Sequence, residues 1–190
     1  MSERIHEILL ITRNPDGSPH IAPMGLRQRD ALWLLAPFRP SRTLDNLQHN
    51  GIASINTTDD VRVYAGCLSG HYSWPLEDCK LIPCSRLQNA LSHREIQVAR
   101  IDDNEQRPEI LCKELGEFTH RSFQGYNRAQ SAVLELAILV SRLHMLPEEK
   151  IEAEVAYLQI AIDKTAGDRE LEAWGWLKER INEYRARECA

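Results

Sequence analysis

Ser41, Arg42 and Thr43 stand where an apolar run ends and a helical pattern begins, within Pro37-Phe38-Arg39-Pro40-Ser41-Arg42-Thr43-Leu44-Asp45-Asn46. Serine is a favoured residue just before a helix, and the first amides of a helix have no acceptor within it. Two hydroxyls, a guanidinium and those amides, gathered at one point, suit an anion such as a phosphate. An ordinary capped helix with a solvated arginine carries the same residues, so neighbouring segments must decide. Pro23-Met24-Gly25 joins a residue without a ladder donor to one without a side chain, which leaves strand backbone open to a flat ring. A simple edge or bulge reads the same way. Asn56-Thr57 ends a further apolar run with two hydrogen-bonding side chains, and Asn46 offers an amide one turn into the helix. Together these segments suggest a nucleotide-like cofactor with a single phosphate.

The elements that must position these groups follow from the pattern. Residues 5–13 form a β-prone run, and Asn14-Pro15-Asp16-Gly17-Ser18-Pro19 places turn formers after it, so a hairpin returns through residues 20–27. Residues 31–36 read as a strand buried on both faces. A helix runs from Ser41 to a stop at Asn50-Gly51, a strand follows over 51–57, and Thr58-Asp59-Asp60 is expected to cap a short helix over 61–68. Residues 81–91, 95–102 and 109–118 look strand-like, with His93-Arg94 and 102–108 as turns. Several consecutive strands with short helices inserted favour a small barrel. From about Gly125 the pattern is helical. Ala129, Val133, Leu136 and Val140 share one face, and two more helices, starting near Pro147 and Asp168, make a small bundle. Glu135 lies in a helix apolar almost all round, so a paired, buried carboxylate is expected there.

The chain has 190 residues, enough for one sizeable core or a domain with an appendage. With 43% hydrophobic and 27% charged residues and a formal net charge of −5, it reads as globular, without a general nucleic-acid or anionic-membrane surface. The charged start and the lack of a long apolar run predict no signal peptide, no membrane span and a cytoplasmic location. Cys67, Cys79, Cys84, Cys112 and Cys189 are scattered and odd in number, and reduced thiols are expected. Cys67-x3-His71 and Cys79-x4-Cys84 lack the close pairing of zinc motifs, so no metal is expected. No G-x-G-x-x-G, Walker A loop or G-x-S-x-G elbow occurs, and no catalytic acid, base or nucleophile stands out.

The order strand, strand, strand, helix, strand resembles the split-barrel flavoproteins, the superfamily of pyridoxamine-phosphate oxidases and flavin reductase-like proteins that bind flavin mononucleotide (FMN). Asp16-Gly17-x-Pro19, Pro23-Met24-Gly25, Ser41, Arg42 and Asn46, and the run from Gly51 through Asn56 carry it, over roughly residues 5–120. More narrowly, the chain resembles the uncharacterised domain-of-unknown-function family 447. The carriers are Pro37-Phe38-Arg39-Pro40-Ser41-x-Thr43-x2-Asn46, Gly125-Tyr126-Asn127-Arg128-Ala129, Glu135 and Lys164-Thr165-Ala166-Gly167, so this resemblance covers nearly the whole chain.

The resemblance implies an α+β fold: a split β-barrel of the FMN-binding type over residues 1–122, followed by a small C-terminal helical bundle over 123–190. It also implies a homodimer with FMN near the subunit interface. Ser41, Arg42 and Thr43 would hold the phosphate and the isoalloxazine would lie near Pro23, Met24 and Gly25, with Asn46, Asn56 and Thr57 completing the site. Flavin carries the redox chemistry itself, so a missing catalytic residue argues neither way. The implied function is an oxidoreductase, flavin reductase-like, fed by a nicotinamide cofactor or a redox protein, with a weaker link to pterin-dependent one-carbon metabolism. A non-catalytic FMN-binding or assembly protein is the alternative, and a barrel holding a deazaflavin or haem is a third.

Overall fold

Alternation along β1 (His6–Arg13) sends Ile8 and Leu10 into one apolar cluster while Leu9 and Ile11 are buried on the opposite face, which is why the run reads as continuously apolar. β2 (Pro19–Arg29) returns antiparallel in unbroken register, with Leu9 opposite Pro23 and Glu7 opposite Gly25. The turn between them closes through Asn14 N–H to Ser18 O, while the Asp16 carboxylate accepts from the Ser18 amide and hydroxyl. β3 (Leu32–Leu35) pairs only with Leu26–Arg29 of β2, so Pro23 and Gly25 lie beyond its end on that side. The expected edge character is present, without a bulge against β1. The structure is a computed structural model that describes residues 4–188; residues 1–3 and Cys189, which enter the readings above, lie outside the described residues.

α1 (Arg42–Asn50) starts and stops where the sequence places it. Ser41 is extended (φ −154, ψ 142) and its Oγ accepts from Leu44 N at 3.3 Å, while Gly51 adopts φ 67 and donates to Leu47 O at 3.0 Å. Leu44 and Leu47 plug the barrel core beside Ile8, Leu10, Leu35 and Ile55. β4 (Ile52–Thr57) pairs with β1 and with β7 (Ser92–Asp102), and β8 (Glu109–Thr119) joins β7 to β3. The closed antiparallel barrel therefore runs β1-β2-β3-β8-β7-β4, and β5 (Leu76–Asp78) with β6 (Ser85–Leu87) makes a separate hairpin.

Two sequence expectations need correction here. His93 and Arg94 are not a turn but lie inside β7, paired with Asn56 and Ile55 on one side and Phe118 and Glu117 on the other. Residues 81–91, expected as a strand, are mostly loop around the three residues of β6. In both cases distant pairing and a distant acceptor override local propensity.

The described residues form two compact units, the barrel with residues up to Thr58 and Trp74–Phe123, and a helical unit of Asp59–Ser73 with the residues from Gln124 on. In the helical unit, α2 (Arg62–Ser69), α3 (Arg128–Val140), α4 (Glu148–Thr165) and α5 (Asp168–Glu188) share a core that includes Ala65, Val133, Leu136, Ile162, Trp174 and Leu177. The nearly all-apolar α3 is thus covered from several sides. The polar residues at its start have a structural task. Asn127 Oδ1 accepts from Ala129 N at 2.8 Å and Gln130 N at 3.2 Å, its Nδ2 donates to Thr165 O at 3.0 Å, and Ala129 N also reaches Thr165 Oγ1 at 3.0 Å. Gly167 N donates to Glu170 Oε2 at 3.0 Å at the start of α5. Glu135, expected to be buried and paired, is exposed instead. It occupies the one solvent-facing strip of α3, so the cost of burying it never arises. The cap expected from Thr58-Asp59-Asp60 falls on Val61, which makes no side-chain cap bond, while Asp60 Oδ1 accepts from Arg62 N at 3.3 Å. Its fully buried carboxylate receives Arg62 Nε at 2.8 Å and Nη2 at 2.7 Å.

Candidate functional site

The barrel brings the predicted residues together in two groups. In the first, Pro23 on β2, Leu9 on β1, Asn56 on β4 and His93 on β7 stand in one cross-strand row. Neighbouring strands lie about 4.8 Å apart, so Pro23 and Asn56 are roughly 10 Å from each other across Leu9. Met24 turns inward and packs on the barrel core, while Gly25 leaves room for Ile5, whose Cγ2 would come within 3.0 Å of a Cβ there. Thr57 follows Asn56, and its Oγ1 lies 2.9 Å from Ser92 Oγ.

The second group is the start of α1. Arg42 is exposed and Thr43 buried, and the first intrahelical bond of α1 runs from Asp45 N to Ser41 O, so the Arg42 and Thr43 amides precede it. A concavity of about 670 Å³ lies along this turn, lined among others by Asn14, Asp16, Arg42, Asp45, Asn46 and His49. Hydrogen bonds from Ser18, and more weakly the Arg42 charge, hold the Asp16 carboxyl below its usual range. Burial, and then the same Arg42 charge, hold His20 below its usual value, so this imidazole is neutral near pH 7. The amides, the guanidinium and the concavity fit a phosphate. Asp16 and Asp45 would repel one, so a bound anion would sit by Arg42, the cationic member of that lining.

Asn46 and Asn56 both hydrogen-bond to other segments of the barrel unit. Asn46, 2% exposed, spends both amide hydrogens on Thr12 Oγ1 and Asn14 Oδ1, each at 3.0 Å, and so fastens α1 to the end of β1. Asn56, fully buried, donates to Ser54 Oγ at 3.0 Å and accepts from Leu87 N at 2.9 Å, which fastens β4 to β6.

Sequence reasoning missed a polar cluster on the same face. Glu95, with no exposed surface, accepts at Oε1 from Lys80 N (2.6 Å) and His93 Nε2 (3.1 Å), and at Oε2 from Leu81 N (2.7 Å) and Ile82 N (3.0 Å). Burial pushes its carboxyl up, but those donors outweigh burial and hold it below the usual value. His93 Nδ1 lies 2.8 Å from His120 Nε2, and burial lowers the pKa of both rings. With both neutral, His93 must donate from Nε2 to the carboxylate and His120 must donate from Nε2 to His93 Nδ1. The signal was present: His93 and Glu95, two apart, share a face once residues 92–102 are read as a strand.

Two family models match the chain, one described as Protein of unknown function (DUF447) N-terminal domain over residues 6–121 and one as Protein of unknown function (DUF447) over residues 127–179. No curated protein matches it. Among solved structures, the FMN-bound protein MM1853 from Methanosarcina mazei, itself assigned to DUF447, superposes with a TM-score of 0.80 at 19% identity, over 94% of this chain and 96% of that one. Flavoredoxin from Methanosarcina acetivorans (TM-score 0.53, 15% identity, 61% and 69% covered) and the 2-nitrobenzoate 2-nitroreductase NbaA from Pseudomonas fluorescens (0.53, 18%, 63% and 66%) are similar over a smaller part of the chain. The expected architecture, a barrel of the split type followed by C-terminal helices, is the one observed.

Proposed function

The chain belongs to the DUF447 family, and on that premise we propose that it is a flavoprotein that binds FMN and uses it as an oxidoreductase. The observation that carries the reading is the likeness over nearly the whole chain to an FMN-bound member of the family, combined with an anion-competent turn at the start of α1. Arg42, the amides of Arg42 and Thr43, and the hydroxyls of Ser41 and Thr43 would hold the phosphate. Pro23 and Gly25, on the stretch of β2 beyond the end of β3, would offer a flat surface to the ring, with Thr57 at its margin. Asn46 and Asn56 would act through the elements they fasten. Bound flavin supplies hydride and electron transfer, so these residues need only hold it, orient it and limit water.

The boundary expected at 122/123 would then divide a flavin-binding part from an attached helical part, with Asp59–Ser73 counted in the helical unit. A homodimer agrees with the large apolar side chains left exposed on the barrel unit, Phe38, Leu81 and Leu115, and on the helical unit, Tyr157, Ile160 and Leu171. Among the described residues no helix is long and apolar enough to cross a membrane.

Arg42→Ala tests the phosphate assignment. A charge-assisted bond contributes about 1.5–3 kcal/mol, so FMN affinity should fall about ten- to a hundredfold while riboflavin affinity stays within about twofold. Equal losses for both ligands in fluorescence titrations would remove Arg42 from the phosphate site.

A further inference from the structure

We propose that Cys79, His93 and Glu95 form a binding site for a divalent cation of the zinc class, on the outer face of the barrel and separate from the start of α1. The Cys79 sulfur, a His93 ring nitrogen and a Glu95 oxygen all lie within 4.8 Å of one another. A tetrahedral zinc ion sits about 2.0–2.3 Å from such ligands, which sets neighbouring donors roughly 3.5 Å apart. His93 Nε2 and Glu95 Oε1 are already 3.1 Å apart. That pair would open by a few tenths of an ångström around an ion, and the Cys79 sulfur stands within 4.8 Å of both.

The donor set selects the metal. Thiolate and imidazole favour zinc and its neighbours over magnesium or calcium, which take oxygen ligands. Charge also balances within the occupied site, because one thiolate and one carboxylate neutralise a divalent ion. The supporting contacts are those of an oriented metal site. Glu95 Oε2 is pinned by the Leu81 and Ile82 amides, and Oε1, held by Lys80 N at 2.6 Å, would give the cation the lone pair it now turns to His93. His93 Nδ1 faces His120, whose ring stacks on it with centroids 5.0 Å apart. The backbone N–H of Cys79 donates to Cys84 O at 2.9 Å. The Cys84 thiol beside Cys79 donates to Ile11 O at 3.4 Å and stays outside the three-ligand set, so the fourth position is left to solvent. Both sulfurs line an open concavity of about 430 Å³, which provides an entry path.

Without metal, a proton bridges His93 Nε2 and Glu95 Oε1, and the cation takes its place. His93 then carries its proton on Nδ1, received along the bond to His120, and His120 regains one from solvent at Nδ1. The net proton released is that of the Cys79 thiol.

Titrating the flavin-free, reduced protein with Co²⁺ tests the site independently of FMN binding. One cobalt per chain is expected, with a sulfur-to-cobalt charge-transfer band and tetrahedral visible bands that Zn²⁺ abolishes. Cys79→Ser, at a half-buried position, should remove the charge-transfer band and weaken binding more than about a hundredfold, and His120→Ala should weaken it about ten- to a hundredfold. Cys67→Ser, in the helical unit, should leave both unchanged. Absence of stoichiometric cobalt binding in the wild type, or an unchanged band in Cys79→Ser, would overturn the proposal.

Discussion

Replacing Glu95 by alanine is expected to lower the stability of the barrel unit by about 3–5 kcal/mol, the largest loss for any single polar residue in it. The carboxylate is the common acceptor for the amides of Lys80, Leu81 and Ile82 and for His93, and it has no exposed surface. Alanine leaves all four donors without that acceptor and a cavity beside them. Each stranded buried donor costs about 1–3 kcal/mol, reduced where the loop can admit water. Glu95→Gln keeps one oxygen and should lose less. Urea unfolding gives the total, and hydrogen exchange should show the residue 80–82 amides losing protection first. A loss below about 1 kcal/mol would mean that the loop holds itself in place without the carboxylate.

Asp60→Asn is expected to weaken the helical unit by about 2–3 kcal/mol near neutral pH. Asp60 is buried, whereas Arg62 is partly exposed and also reaches Glu172 at 3.1 Å, so the stranded guanidinium keeps some hydration. That places the cost below the full penalty of breaking a buried pair. Burial pushes the Asp60 carboxyl up, but Arg62 outweighs burial and holds it below the ordinary aspartate value. A depressed folded pKa gives stabilisation that is complete above the unfolded value and disappears as pH falls through the folded one. The wild-type helical unit should therefore lose stability below about pH 4, and the asparagine variant should lack that part of the acid sensitivity. Equal acid sensitivity in both proteins would assign the effect to other carboxylates.

What could be read in the sequence was whatever its own neighbours determine. Ser41 and Gly51 bounded α1 because a cap and a left-handed stop are local chemistry, and Asn14 to Pro19 gave the hairpin turn for the same reason. The core face of α3 followed from helical spacing, since Ala129, Val133, Leu136 and Val140 are all buried. Residues stabilised by distant partners were not legible. His93 and Arg94 looked like a turn because His, Arg and Glu in succession suggest solvent, yet β7 is paired on both sides and the acceptor Glu95 is satisfied by a loop more than ten residues earlier. Pro23 and Asn56 each looked like weak signals. Their meeting in one row, across Leu9, depends on strand order that no local pattern contains.

The most direct test of the central claim is a titration of the purified, flavin-free protein with FMN and with riboflavin, followed by flavin fluorescence and the visible absorption band. Saturable binding of one FMN per chain, tighter than riboflavin by about tenfold or more, is the predicted result, because only FMN carries the anion that Ser41, Arg42 and Thr43 can hold. Failure to bind FMN, or equal affinity for the two flavins, would contradict it.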